Sequence, residues 1–126
     1  MPSLTRRILI VDDDPVIREA AASVLSDAGY VTVEAAGGEQ AIEMAKRSPP
    51  DLILCDLFMP GVDGFGVLVR LRAEPTTAGI PFVFLTASTD TSDSRVSFML
   101  GADEYLQKPL DGDRLVQVIE HRLAQH

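Results

Sequence analysis

Two four-residue apolar runs stop abruptly at acids: Ile8-Leu9-Ile10-Val11 at Asp12-Asp13-Asp14, and Leu52-Ile53-Leu54-Cys55 at Asp56. Neither run alternates with polar residues, and each is too short for a helix. Each therefore reads as a strand covered on both faces, the kind found in parallel sheets. Open parallel sheets place their ligand sites beyond the C-terminal ends of their strands. The two acidic stops thus mark the fold and the place where its chemistry is expected.

The remaining chain supplies what such a sheet needs. Asp14 is a good N-cap and Pro15 suits the first turn of a helix. Ile17, Ala20, Ala21, Val24, Leu25 and Ala28 then follow helical spacing until Gly29. Val31-Thr32-Val33 is a short strand. Residues 39–47 carry Ala41, Ile42 and Ala45 on one helical face, and Pro49-Pro50 ends that helix. After the turns Pro60-Gly61 and Asp63-Gly64, Phe65, Leu68 and Leu71 mark a helix to about Ala73. Pro81 to Leu85 is a strand ending in Thr86-Ala87-Ser88. A helix over about 93–100 should bury Val96, Met99 and Leu100 and close at Gly101. Tyr105-Leu106-Gln107 is a last strand, stopped by Lys108-Pro109. Leu115, Val118, Ile119 and Leu123 stripe a final helix.

Five strands alternating with five helices predict an α/β fold of the (βα)5 type. It is a doubly wound, five-stranded parallel sheet with right-handed crossovers. The common flavodoxin-like order is 2-1-3-4-5, with its switch point between strands one and three. Parallel strands in that order bring Asp12, Asp13, Asp56, Thr86 and Lys108 to one edge. Three carboxylates against one ammonium leave two negative charges, and mutual repulsion raises carboxyl pKa values unless a cation is present. A hard divalent cation with oxygen ligands balances the excess, and Mg²⁺ suits it. Asp56 can then act as a nucleophile towards phosphorus and form an acyl phosphate.

Charge and composition exclude other roles. At 126 residues, 46% apolar and 24% charged, the chain is expected to form one domain over residues 1–126. Its net charge of −8, with eleven scattered Lys and Arg, argues against direct nucleic-acid contact. No run approaches the ~20 apolar residues of a membrane span, so no membrane insertion is expected. Residues Met1 to Arg7 and the short run after them do not make a secretory leader. The single Cys55 cannot form an intramolecular disulfide and reads as core, which favours a cytoplasmic setting. His121 and His126 have no partner pattern that marks them for chemistry. Met59 and Met99 read as packing, and the Arg6-Arg7 and Arg70-Leu71-Arg72 charges as solvated.

The whole chain resembles the receiver domain of two-component response regulators, the CheY-like superfamily. The resemblance rests on Ile8 to Pro15, Asp56 to Gly64, Leu85-Thr86-Ala87 and Gly101 to Pro109, four motifs in the right order. It implies that Asp56 is the phosphate acceptor. Asp13 becomes a direct Mg²⁺ ligand, with Asp12 acting mainly through water and the backbone carbonyl of Phe58 as a further ligand. Lys108 holds the phosphoryl group and pairs with Asp56 otherwise. Thr86 closes its hydroxyl onto a phosphoryl oxygen and Tyr105 turns inward behind it. The Lys108-Pro109 bond is expected to be cis. Phe58 departs from the polar or smaller residue often found two places after the acceptor. Its ring is expected to shield the acyl phosphate and slow its loss.

The implied function is a phosphorylation-dependent signalling switch that catalyses only its own phosphorylation and dephosphorylation, with no metabolic substrate. A sensor histidine kinase or phosphotransfer protein supplies the phosphoryl group from a phosphohistidine. The fourth helix, fifth strand and fifth helix then act on an output domain or effector protein. A phosphorylation-linked dimer and recruitment of another protein are both open. One rival is a pseudo-receiver, a constitutive interaction module. The intact Asp12, Asp13, Asp56, Thr86 and Lys108 count against it. The other is a nucleotide- or flavin-binding domain, which should carry a glycine-rich loop where three aspartates stand.

Overall fold

The computed structural model describes residues 5–125. Met1 to Leu4, the start of the leader reading, and His126 lie outside them. The strands are β1 (Arg7–Val11), β2 (Val31–Ala35), β3 (Leu52–Cys55), β4 (Phe82–Thr86) and β5 (Glu104–Gln107). The helices are α1 (Pro15–Asp27), α2 (Gly38–Arg47), α3 (Gly64–Arg72), α4 (Thr91–Met99) and α5 (Gly112–Leu123). All strand pairs are parallel and the order is β2-β1-β3-β4-β5, as expected.

Alternation within the strands builds two cores. Leu9, Val11, Ile53, Cys55, Phe82 and Phe84 face α2 and α3. Ile8, Ile10, Leu52, Leu54, Val83 and Leu85 face α1 and α5, meeting Leu25, Leu115, Ile119 and Leu123. The central strands are apolar throughout because both faces are covered. Edge strand β2 is not, and Val31 there is exposed.

Aspartate starts four of the helices. Asp14, Asp63, Asp90 and Asp111 each accept from a backbone N–H in the first turn of α1, α3, α4 and α5. Part of the acidic excess is therefore structural. Gly64 opens α3 at a close approach: a Cβ there would overlap the Asp56 carbonyl, and would lie 2.7 Å from the Phe84 ring. Only glycine lets this helix start so near the acid-bearing strand.

Three expectations need correction. In α1, Ala20 and Ala28 are exposed and Ala22 is buried, because α1 meets the sheet over a narrow stripe centred on Ala21 and Leu25. In α4, the only buried residue is Ser97; Val96 and Phe98 are exposed, and Met99 is 79% exposed. This helix packs beside the edge strand β5, and its apolar positions are left largely uncovered. It also starts at Thr91, earlier than the apolar pattern implied, because Asp90 caps it. Arg72 is not solvated charge. Its guanidinium donates to the carbonyls of Ala78, Ile80 and Gly101 and pairs with Asp103, tying the end of α3 to the segments that lead into β4 and β5.

Candidate functional site

The register of β1 and β3 makes the site. Val11 pairs with Cys55, and the Asp56 N–H donates to the Val11 carbonyl at 2.8 Å. Asp12 and Asp56 therefore leave the sheet side by side. On the other flank Thr86 pairs with Gln107, and the Lys108 N–H donates to the Thr86 carbonyl at 2.8 Å. This sets Lys108 across from the acids. Oxygens of Asp12, Asp13 and Asp56 lie within 4.8 Å of one another. Asp12 and Asp56 are buried at 3% and 7% exposure, and Asp13 is exposed.

Each acid is held differently. Asp12 Oδ1 accepts from the Asp14 N–H at 2.9 Å, and Oδ2 lies 3.0 Å from Lys108 Nζ. Lys108 Nζ also reaches Asp56 Oδ2 at 3.4 Å. The lysine thus bridges both acids and sits nearer Asp12 than Asp56. With both oxygens of Asp12 engaged by the protein, Asp13 and Asp56 are the freer donors.

Electrostatics follow from burial and crowding. Burial, then the charge of Asp12, pushes the Asp56 carboxyl above the ordinary carboxylate value, against the pull of Lys108. Burial alone would lower Lys108, but its bond to Asp12 and the charges of both acids outweigh this and raise it. Cys55 is wholly buried. Burial first, then the neighbouring acids, raises its thiol well above the usual range, so it stays protonated and inert.

The remaining candidates lie beside this cluster. Thr86 is fully buried and its hydroxyl oxygen accepts from the Ser88 N–H at 3.3 Å. The ring of Tyr105 is tilted against Phe84 with centroids 6.2 Å apart, and its hydroxyl is buried without a partner. The side chain of Phe58 is 56% exposed. The Lys108-Pro109 peptide is cis. Sequence reasoning missed Arg18, which donates to the Asp12 carbonyl at 2.8 Å and pairs with Glu34 at 2.9 Å. It also missed Ser88 and Asp93, joined at 2.6 Å. The Asp90–Asp93 spacing, an N-cap followed by an acid at the third helical position, was the available signal for the latter.

The donor set fits a hard divalent cation: three carboxylates with oxygens in mutual reach, one side open at Asp13, and negative charge that Lys108 leaves uncompensated. Direct phosphate binding through a helix N-terminus does not fit, since β1 leads into three aspartates.

A doubly wound parallel sheet with acids and one lysine at its switch point defines a CheY-like signalling domain. The model of the response regulator receiver domain matches residues 8–120. The chain belongs to this family, the phosphorylation-dependent switches of two-component signalling. The DNA-binding response regulator MtrA of Mycolicibacterium smegmatis is 40% identical over 126 residues, all of this chain and 54% of its own. The chain thus spans about half the length of that relative. A solved chain from Chloroflexus aurantiacus, described as a response regulator, superposes with a TM-score of 0.92 at 38% identity, covering 96% of this chain and 99% of that one. The receiver domain of sensor histidine kinase PA1611 from Pseudomonas aeruginosa was solved with magnesium in its active site cleft. It superposes with a TM-score of 0.88 at 29% identity, covering 96% of this chain and 99% of that one. Among the described residues, no helix is long and apolar enough to cross a membrane.

Proposed function

We propose that Asp56 accepts a phosphoryl group from a phosphohistidine on a sensor kinase or phosphotransfer protein, and that Mg²⁺ is required. The observation that carries this reading is the gathering of Asp12, Asp13 and Asp56 oxygens within 4.8 Å, with Lys108 bonded to two of the three acids. Asp13, Asp56 and the Phe58 carbonyl would hold the metal, with Asp12 in support. When bound, Mg²⁺ supplies positive charge against the phosphoryl oxygens.

The chain's own groups do the rest. An Asp56 oxygen attacks phosphorus, an O–P bond forms, the P–N bond of the donor breaks, and the imidazole leaves with its electron pair and takes a proton from water. Lys108 turns its ammonium from the acids to a phosphoryl oxygen. Thr86 donates its hydroxyl to another, and Tyr105 follows into the space behind it. Water attack on the acyl phosphate reverses the state, and the Phe58 ring slows it.

The altered contacts of Thr86 and Tyr105 then shift the surface of α4, β5 and α5, which acts on an output domain or effector. The intact acceptor, lysine and hydroxyl positions give no support to a phosphorylation-independent module. The test is intact mass after incubation with acetyl phosphate and Mg²⁺. The expected result is a gain of one phosphoryl group that EDTA and Asp56→Asn each abolish. A gain that survives Asp56→Asn would place the acceptor elsewhere.

A further inference from the structure

Thr86 sits at the head of a bonded chain that phosphoryl transfer itself does not use. Its hydroxyl oxygen accepts from the Ser88 N–H at 3.3 Å. The Ser88 hydroxyl donates to Asp93 Oδ2 at 2.6 Å and accepts from the Asp90 N–H at 3.2 Å. The Ser88 carbonyl accepts from Gln107 Nε2 at 3.1 Å. Asp90 is the N-cap of α4 and Asp93 is its third residue. In an ordinary capping box the acid at that position accepts directly from the N-cap amide. Here the Ser88 hydroxyl stands between the two. One buried serine therefore joins Thr86, the edge strand β5 and the first turn of α4.

The bond between Ser88 and Asp93 is short and charge-assisted, the stronger kind of hydrogen bond. It fixes α4 together with the Asp90 cap on the Ser92 N–H, since that helix buries only Ser97. Ser97 in turn donates to the Asp93 carbonyl at 2.7 Å. The position of Asp93 thus shares with the Asp90 cap in setting the first turn of the helix.

We propose that Ser88 and Asp93 form a latch that positions Thr86 in the unphosphorylated state and transmits its movement to α4. This rests on the reading of Thr86 as the hydroxyl that closes onto a phosphoryl group on Asp56. When Thr86 turns to that group, the buried Ser88 N–H loses its acceptor. Ser88 regains one only by moving, and that movement strains its bond to Asp93. The latch therefore opposes activation by the free energy of that bond, and it delivers the motion to the least packed helix. Ser88 and Asp93 are positioning residues and do not touch the phosphoryl group.

Removing the latch should favour the activated state. Ser88→Ala leaves the bond from the Ser92 N–H to Asp90 in place, so α4 keeps its cap. The test uses the full chain, Mg²⁺ and beryllium trifluoride, a tetrahedral mimic of an acyl phosphate, followed by amide NMR. Ser88→Ala is expected to bind the mimic about five-fold more tightly than wild type, the factor one net hydrogen bond supplies. Ser88→Thr, which keeps the hydroxyl, should return to the wild-type affinity. In an Asp93→Ala background, Ser88→Ala should add nothing further. Before any ligand is added, amides in the first turn of α4 should exchange faster in Ser88→Ala. Equal or weaker binding by a folded Ser88→Ala, while wild type binds, would overturn the latch alone. Wild type that takes up no mimic would overturn the acceptor reading and the latch with it.

Discussion

The two flanks of the site are built on opposite principles. On the β1–β3 flank the groups are charged, crowded and firmly held. Asp12 is fixed through both oxygens, Arg18 grips its backbone, and fully covered strands lie beneath. On the β4–β5 flank, Lys108 apart, the groups that face the site are neutral and have few bonds of their own. Thr86 leans on one amide, the Tyr105 hydroxyl has no partner, and α4 leaves Val96, Phe98 and Met99 in solvent. A rigid array of like charges stores unfavourable energy that a cation or a phosphoryl group can rearrange. A loosely packed helix costs little to move. A switch needs both, because rigidity throughout would not report and softness throughout would not bind.

Lys108 offers the largest way to break this contrast. It is the cation bonded to both Asp12 and Asp56, and its side chain is 17% exposed. Lys108→Met leaves two buried acids unpaired, which should cost about 2–4 kcal/mol in urea unfolding at neutral pH without metal. Because the folded lysine holds its proton more firmly than the unfolded one, its contribution is complete below the ordinary value of 10.5 and fades as pH rises through the raised one. The loss in Lys108→Met should also shrink in acid, as the Asp56 carboxyl takes up its proton. A variant as stable as wild type would mean that the acidic flank stores no charge energy.

Asp56 gives a smaller effect of opposite sign. The folded protein holds the Asp56 proton more tightly than the unfolded chain does. Stability therefore falls as pH rises from the ordinary 3.8 through the raised value, and stays lower at neutral pH. Asp56→Asn removes that charge. In EDTA at pH 7 its Tm should exceed that of wild type by a few degrees, and the gap should close near pH 3. Mg²⁺ should then stabilise wild type more than the variant, by mass action on the folded state. A lower Tm for Asp56→Asn in EDTA would contradict the charge-strained flank.

How far the sequence disclosed these flanks depended on the kind of force involved. The acidic flank was legible because apolar runs end at acids, so Asp12, Asp13 and Asp56 declare their place by strand alone. Lys108 followed from the end of β5. Helices α2 and α5 were legible because their apolar stripes are buried. The α4 stripe misled because periodicity reports which residues share a face, while the position of α4 at the sheet edge decides whether that face is covered. Arg72 and Arg18 were opaque for another reason. Both bond backbone carbonyls brought near by the fold, and a carbonyl is present at every residue, so the partner leaves no mark in the sequence.

Tyr105 allows the finest test of the loose flank. Its hydroxyl is buried, and a buried hydroxyl without a partner bears a desolvation cost that no bond returns. Removing a hydroxyl that is well bonded usually loses about 1 kcal/mol. Tyr105→Phe should instead leave stability unchanged or raise it by up to about 1 kcal/mol in urea unfolding, since the ring contact with Phe84 survives. A gain means that the unphosphorylated state holds Tyr105 at a cost that a different position can relieve, which is what a group poised to move requires. A loss of 1 kcal/mol or more would mean that the hydroxyl is bonded in solution. The β4–β5 flank would then be held as firmly as the acidic one, and the energy of the switch would have to lie in the carboxylates alone.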